Sequence, residues 1–483
     1  MRMRVTLLVI GFTFSVLFSQ AQEKWSLLKC VQYAMDSNIS VRQNHIQALL
    51  ADINYKQSKL SVYPTANFSN NDGYRFGKSQ NPSTGILENQ NFFSIGFSFQ
   101  TSAEIFNFYS KRNTILANQW TALAARATTD KLKNDIALTV ANSYLQVLLA
   151  KEQETISSIQ VQQSLFQFNT VTKQVNAGAL PPLNALELES QLARDSANLI
   201  AARGNVDQAK YALKTYMSLD AATPFEIEEP PADKIPIENI ADLQPDRVYA
   251  LALANLPQQR ADQFYIKAAQ KNSEAIKGAL YPTLSGYGSL GSNYGYFKTP
   301  IYQQVISGYS PSGLVIKNPN GSFTDVQRPI TSNGSRTGYF TADAFGKQIN
   351  NNFGQSIGIS ISVPIFNGWS ARANYEKSKL NIINYQLQAD LDNQNIKQNI
   401  YQAYNAALVA LEKFTASRKA VESSQRSYEY SLKRFNVGML STFELTTNQN
   451  NLFTSKLQYA LNQFDYVFKM KVLEFYKGQG IKL

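Results

Sequence analysis

Cysteine and histidine are almost missing from this 483-residue chain, with Cys30 and His45 the single examples. One thiol cannot make an internal disulfide framework, a thiolate zinc cluster or an iron–sulfur site, and one imidazole cannot build a multi-histidine metal centre. No metal or cofactor is therefore expected, and no Ser/His/Asp assembly can form around His45, which falls on an amphipathic stretch as a surface residue. Charge is scarce as well: Asp, Glu, Lys and Arg make up 17% of the residues, against about a quarter in ordinary soluble proteins. Yet mean hydropathy is only −0.28, so polarity comes from Asn, Gln, Ser and Thr. That balance fits neither a disordered chain nor a bundle of membrane helices. After the amino terminus no apolar run approaches the ~18 residues of a spanning helix.

What is present begins with an export signal. Met1-Arg2-Met3-Arg4 is cationic, Val5 to Phe18 is apolar but short of a membrane anchor, and Ser19-Gln20-Ala21 offers small residues for cleavage before Gln22. Loss of Arg2 and Arg4 lowers the formal charge from +11 to +9. Lys29 stands before Cys30 where lipid attachment would want a small residue. The remaining positive charge is spread along the chain without a cluster, which argues against a nucleic-acid partner.

The chain then reads as two copies of one unit. Tyr63-Pro64-Thr65 recurs as Tyr281-Pro282-Thr283, an offset of 218, with Lys59 matching Lys277. Further on the offset is 260: Phe106-Asn107 matches Phe366-Asn367, Arg112 matches Arg372, Tyr144 matches Tyr404, Glu152 matches Glu412, and Lys173 matches Lys433. Asn176-Ala177-Gly178 matches Asn436-Val437-Gly438 and Tyr216 matches Tyr476 at the same offset. The difference is an insertion of 42 residues in the second copy, placed in the Gly/Ser/Asn/Pro-rich stretch 297–352, which reads as a long extracellular loop.

Helices are expected over about 25–61, 107–177 and 183–218, and again over 245–280, 370–437 and 441–477, where proline and glycine are nearly absent. Ile136, Val140, Tyr144 and Val147, and Ile396, Ile400, Ala403 and Ala407, form one narrow apolar stripe in each copy, as coiled-coil packing requires. At a rise of 1.5 Å the longest helix measures ~107 Å and the shorter ones ~55 Å, so two short helices laid end to end match one long rod. Strands are expected near 63–76, 92–102, 281–296 and 353–366. Ile95, Phe97 and Phe99 alternate with Ser94, Gly96, Ser98 and Gln100. Ile357, Ile359, Ile361, Val363 and Ile365 alternate with Ser356, Gly358, Ser360 and Ser362. One face is apolar, facing either lipid or the inside of a soluble sandwich. If lipid, four strands cannot close a barrel, and several chains must combine: two give eight strands, three give twelve.

Gly286-Tyr287-Gly288-Ser289-Leu290-Gly291 satisfies the dinucleotide-binding glycine pattern, but no helix is expected after it to hold a phosphate. The domains are thus a signal peptide (1–21), a first repeat (22–220), a linker (221–245) and a second repeat (246–480). The linker is rich in proline and acid: Pro224, Pro230, Pro231, Pro236, Pro245, Glu226, Glu228, Glu229, Asp233 and Asp242.

With these features in place the chain resembles the TolC-type outer-membrane efflux factors over nearly all its mature length. Trp25-Ser26-Leu27 through Tyr33-Ala34 and Asn38 resembles the family's first helix. Tyr281-Pro282 and Val363-Pro364-Ile365-Phe366-Asn367-Gly368 resemble its strand edges, and Phe435-Asn436-Val437-Gly438 with Thr442-Phe443-Glu444-Leu445 resembles its helix-turn-helix tip. The resemblance implies a homotrimer with a 12-stranded outer-membrane barrel continuing into an α-helical periplasmic tunnel. It also implies docking to a periplasmic adaptor and an inner-membrane transporter, export of small molecules or proteins, and no enzymatic activity. The linker would then lie on the outside of the tunnel as part of an equatorial belt. A structural or adhesive exported coiled-coil protein is the rival reading.

By the same resemblance the tunnel entrance falls on Glu444, Asn184, Thr447, Leu440 and Phe435. The family's latch is reduced here to one carboxylate, Glu444, since Asn184, Thr447, Leu440 and Phe435 replace its acidic, basic and tyrosine partners; a solvated helix-surface Glu is the plain alternative. Adaptor contacts fall on Asn176, Gly178, Pro181, Pro182, Asn436, Gly438 and Ser441. Pro181-Pro182 either stiffens its tip for a chosen partner or simply stops the helix.

Overall fold

The computed structural model describes residues 24–80, 87–89, 91–230, 235–296 and 298–478. The expected signal peptide, Pro231 and Asp233 lie outside the described residues. The chain forms two compact units, one of Met1–Gln57, Asn113–Ser273 and Asn374–Leu483, the other of Ser58–Arg112 and Glu274–Ala373.

The first unit is helical. It holds all or nearly all of α1 (Leu27–Ser37), α2 (Ile39–Leu60), α3 (Ser110–Asn176), α4 (Pro182–Met217), α5 (Pro245–Asn255), α6 (Pro257–Gly278), α8 (Ser370–Asn436) and α9 (Thr442–Tyr476). The repeat is visible in their lengths: α1 and α5 have 11 residues, α2 and α6 have 22, α3 and α8 have 67, and α4 and α9 have 36 and 35. At 1.5 Å per residue each long helix measures about 100 Å.

The helices expected as 25–61 and 245–280 are each broken in two, for different local reasons. In the first copy Asn38 is buried, and its Oδ1 accepts from Ser40 N (2.9 Å) and Val41 N (3.3 Å), capping α2. Its Nδ2 donates to Tyr216 O (2.8 Å) at the end of α4, and Ile39 N donates to Ser218 Oγ (3.3 Å). In the second copy Leu256 is extended (ψ 135°) and Pro257 opens α6, as a proline requires of the residue before it. Asn255 Nδ2 donates to Lys477 O (3.1 Å), just past α9. Each 22-residue helix therefore abuts the end of a helix of 36 or 35 residues, and only the second half of each expected helix takes part in the end-to-end stacking.

The expected apolar stripes are core. Val140, Tyr144 and Val147 are buried with Leu27, Cys30 and Ala34 of α1, Leu213 and Met217 of α4, and Phe464 and Val467 of α9. Ile396, Ile400 and Ala407 pack with Val248 and Ala252 of α5 and Met470 and Leu473 of α9. The segment 221–245 is more than a linker. Phe225, Ile227, Ile235 and Leu243 are buried, Trp25 and Ile227 form a parallel β-bridge, and Tyr144 Oη donates to Glu228 O at 2.7 Å. Its acids are engaged too: Glu226 pairs with Lys210 (2.6 Å) and Lys151 (3.2 Å), and Glu229 pairs with Lys151.

The second unit is built on strands. β1 (Thr65–Arg75), β4 (Phe92–Phe106), β5 (Thr283–Tyr296) and β8 (Gly354–Ser362) form one antiparallel sheet in the order β1-β4-β5-β8. β2 (Lys78–Gln80) and β3 (Leu87–Asn89) make a small separate pair. The register sets Phe68 beside Phe99, Phe99 beside Leu290 and Gly288 beside Ile357 on one face. On the other, Ser69 Oγ meets Ser98 Oγ (2.6 Å) and Ser289 Oγ meets Ser356 Oγ (2.8 Å). Among the described residues the apolar face is largely uncovered: Ile357 is 93% exposed, Ile359, Ile361 and Phe99 are exposed with it, and Phe93, Ile95 and Phe97 are half-buried. The soluble-sandwich alternative is thus unmet, because no second sheet covers these side chains among the described residues. β8 ends at Ser362, before Pro364, earlier than the expected 366, and β4 runs on to Phe106.

The stretch 297–352 corrects the expectation of a long loop. It contains β6 (Lys298–Lys317) and β7 (Phe323–Thr341), paired with each other as an antiparallel hairpin, then α7 (Phe345–Asn351). Turn-forming residues dominate its composition, but the β-formers Ile301, Tyr302, Val305, Ile306, Val315 and Ile316 suffice for a two-stranded ladder. The repeated Phe-Asn motif also gains a reason. Phe108 and Tyr109 (φ 49° and 62°) and Gly368 and Trp369 (φ 61° and 67°) turn the chain into α3 and α8, with Ser110 N donating to Asn107 O (3.0 Å) and Ser370 N to Asn367 O (3.3 Å).

Candidate functional site at the helical turns

The two reversals between long and short helices share one backbone design. Gly178 N donates to Val175 O (2.9 Å) and Ala179 N to Gln174 O (2.8 Å); Gly438 N donates to Phe435 O (2.9 Å) and Met439 N to Arg434 O (2.9 Å). These pairs of bonds satisfy the last carbonyls of each helix, and they need a left-handed residue, supplied by glycine at φ 74° and 76°. Asn176, Gly178, Pro181, Pro182, Asn436, Gly438 and Ser441 are all exposed.

The helices after the turns start differently. Pro181 and Pro182 open α4 with no side-chain cap, and Asn184, half-buried, donates its N–H to Pro181 O (3.1 Å). Ser441 and Glu444 open α9 with a reciprocal capping box: Glu444 Oε2 accepts from Ser441 N (3.1 Å) and Oγ (2.9 Å), while Glu444 N donates to Ser441 Oγ (3.2 Å). The backbone and hydroxyl hydrogens of Ser441, helped by Arg434, hold the exposed Glu444 carboxyl below the usual range, so it stays ionised.

The other expected entrance residues divide. Thr447 is exposed, but its hydroxyl donates to Phe443 O (2.8 Å) in its own helix. Phe435 and Leu440 pack against Tyr428, Leu432, Leu445 and Leu452, forming the apolar base of the second turn. Glu444 is thus bonded inside its own turn, and Phe435 and Leu440 are brought together by burial.

Behind the turns lies a buried polar cluster that sequence reasoning did not single out. Asp195, 2% exposed, accepts at Oδ2 from Ser164 Oγ (2.5 Å) and Gln160 Nε2 (3.3 Å), and at Oδ1 from Gln191 Nε2 (3.0 Å). Gln449 Nε2 donates to Ser164 Oγ (3.1 Å), Gln191 Nε2 to Asn450 Oδ1 (2.9 Å), and Gln167 Nε2 to Tyr428 Oη (2.8 Å). These bonds join α3 and α4 of the first copy to α8 and α9 of the second. The signal was available: Ser157, Gln160, Ser164 and Gln167 continue the buried stripe of α3 toward the turn.

Comparison with known proteins follows the same elements. The sequence profile described as outer membrane efflux protein matches residues 31–218 and 329–473. The chain is 20% identical over 456 residues to the outer membrane efflux protein BepC of Brucella suis biovar 1, covering 94% of this chain and 85% of that one. It is 21% identical over 467 residues to the outer membrane protein TolC of Escherichia coli strain K12, covering 95% and 83%. Among solved structures, CusC superposes with a TM-score of 0.72 at 15% identity over 96% of both chains. The CmeC outer membrane channel of Campylobacter jejuni gives 0.69 at 16% identity over 94% of this chain and 86% of its own.

Proposed function

The chain belongs to the outer membrane efflux protein family, and from that premise we propose that three copies form a passive conduit through the outer membrane. Each copy gives four strands to a twelve-stranded barrel and its long helices to a tunnel wall on the periplasmic side. The observation that carries this is the four-stranded sheet, apolar on one uncovered face and small and polar on the other, with β1 and β8 at its open edges. In lipid such edges must be paired, and neighbouring copies are the partners at hand.

The exposed turns are the docking points for a periplasmic adaptor, through which an inner-membrane transporter delivers small molecules or proteins for export. At the entrance three Glu444 carboxylates, kept ionised by Ser441, make an anionic ring that favours cations. The test of the conduit is migration on a gel in mild detergent before and after boiling: a heat-sensitive three-chain species is expected, and a soluble single chain overturns the reading. For the entrance, Glu444→Gln should reduce cation preference in single-channel recordings; an unchanged reversal potential removes Glu444 from that role.

A further inference from the structure

The β6–β7 hairpin is where the second copy outgrows the first, whose β2–β3 pair at the same place has three residues in each strand, and most of it lies between the two stretches matched by the family profile. Its strands have 20 and 19 residues, or about 65 Å of ladder at ~3.3 Å per residue. Among the described residues they pair only with each other, leaving two free edges. A two-stranded ribbon is marginal alone in water, and this one exposes apolar side chains on both faces. The load is heaviest at the tip, where Leu314 (67%), Val315, Ile316 and Phe323 (66%) are exposed.

The tip is also rigidly built. Asn318 N donates to Ser322 O (2.8 Å), Asn318 Nδ2 to Thr324 Oγ1 (2.8 Å) and Ser322 Oγ to Asn320 Oδ1 (2.7 Å), around Gly321 at φ 83°. Along the shaft, Pro311 and Pro329 carry no N–H, and register shifts interrupt the pairing, for instance between Pro311 and Val315. Such features blunt an edge against a further strand, which leaves the faces and the tip for contact.

We propose that this hairpin is a contact between copies of the same chain, made tip to tip through Leu314, Val315, Ile316 and Phe323. The proposal rests on the three-copy reading above. Two observations favour a second copy over another partner. β7 leads through α7 into β8, the open sheet edge at which the next copy must join, so the returning leg of each hairpin is rooted at a boundary between copies. The tip from Leu314 to Asp325 also carries no net charge, with Lys317 and Asp325 on one face in the ladder pairs Lys317–Phe323 and Val315–Asp325, so identical tips meet without like-charge repulsion.

Cysteine cross-linking tests this directly. The native thiol, Cys30, is fully buried, and that burial pushes its pKa up to about 12, so it stays unreactive. Leu314→Cys and, separately, Phe323→Cys would be made in the full chain, treated in outer membranes with a short bis-maleimide, boiled and run on a denaturing gel. A two-chain band in either variant, absent from the parent, is expected. A variant that forms the three-chain species before boiling yet gives no two-chain band at either position overturns the proposal while leaving the conduit intact. A parent that runs as one chain before boiling overturns the three-copy reading and this contact with it.

Discussion

Replacing Asp195 by alanine should loosen the helical hairpins behind the turns far more than any change at the exposed turn residues. The carboxylate is buried and accepts from Ser164, Gln160 and Gln191. Its removal strands three donors, each costing ~1–3 kcal/mol when left unpaired. Taking the low end for each, because water can enter the space left behind, gives about 3 kcal/mol, or roughly 100-fold faster local opening. Asp195→Asn keeps an acceptor for Gln191 and presents its amide to the Ser164 oxygen, so it loses about one bond and should stay within roughly tenfold. Amide hydrogen exchange of the assembled protein reads this: peptides covering 157–171, 188–199 and 445–455 should speed up in the alanine variant, while residues 39–57 stay as in the parent. Equal, less than threefold changes in both variants would refute the claim that this cluster holds the two copies' hairpins together.

Tyr144→Phe removes the hydroxyl that reaches Glu228 O from a residue 1% exposed; a loss of about 1–2 kcal/mol is expected, seen as faster proteolysis within 221–230 and nowhere else in the helical unit. Gly438→Ala forces a side chain into φ 76° at a cost of ~1 kcal/mol, so exchange over residues 430–440 should rise about fivefold while the first turn, around Ala177 and Gly178, stays as in the parent. Asp262 is buried, and burial, reinforced by the Asp392 charge and opposed by the Gln258 amide and Lys131, raises its pKa from 3.8 to about 6. The folded state therefore holds this proton longer than the unfolded state does, and stability falls as pH rises from 3.8 to about 6, by up to ~3 kcal/mol. Asp262→Asn should flatten the thermal midpoint across that window and raise it at pH 7; a midpoint that drops at pH 7 would show that the charge is needed.

The parts legible in the sequence are those where one residue pattern admits one structure. The offsets of 218 and 260 foretold that helices opening near Leu27 and Pro245, Ser110 and Ser370, and Pro182 and Thr442 match in pairs, because a duplicated stripe buries the same way twice. Ile357, Ile359 and Ile361 foretold a two-faced strand for the same reason. What escaped notice depends on partners distant in sequence. Asn38 breaks a helix only because Tyr216 and Ser218 stand ready for it, and Gln449 is core only because Ser164, 285 residues away, accepts it. The hairpin at 298–341 escaped because its glycines and prolines lie within strands, where they read as loop. The entrance shows the remaining difficulty. Family resemblance makes Glu444 an entrance carboxylate and the plain reading makes it a solvated surface residue, while its geometry first explains a helix cap; a cap that keeps a carboxylate ionised at an exposed turn is compatible with either.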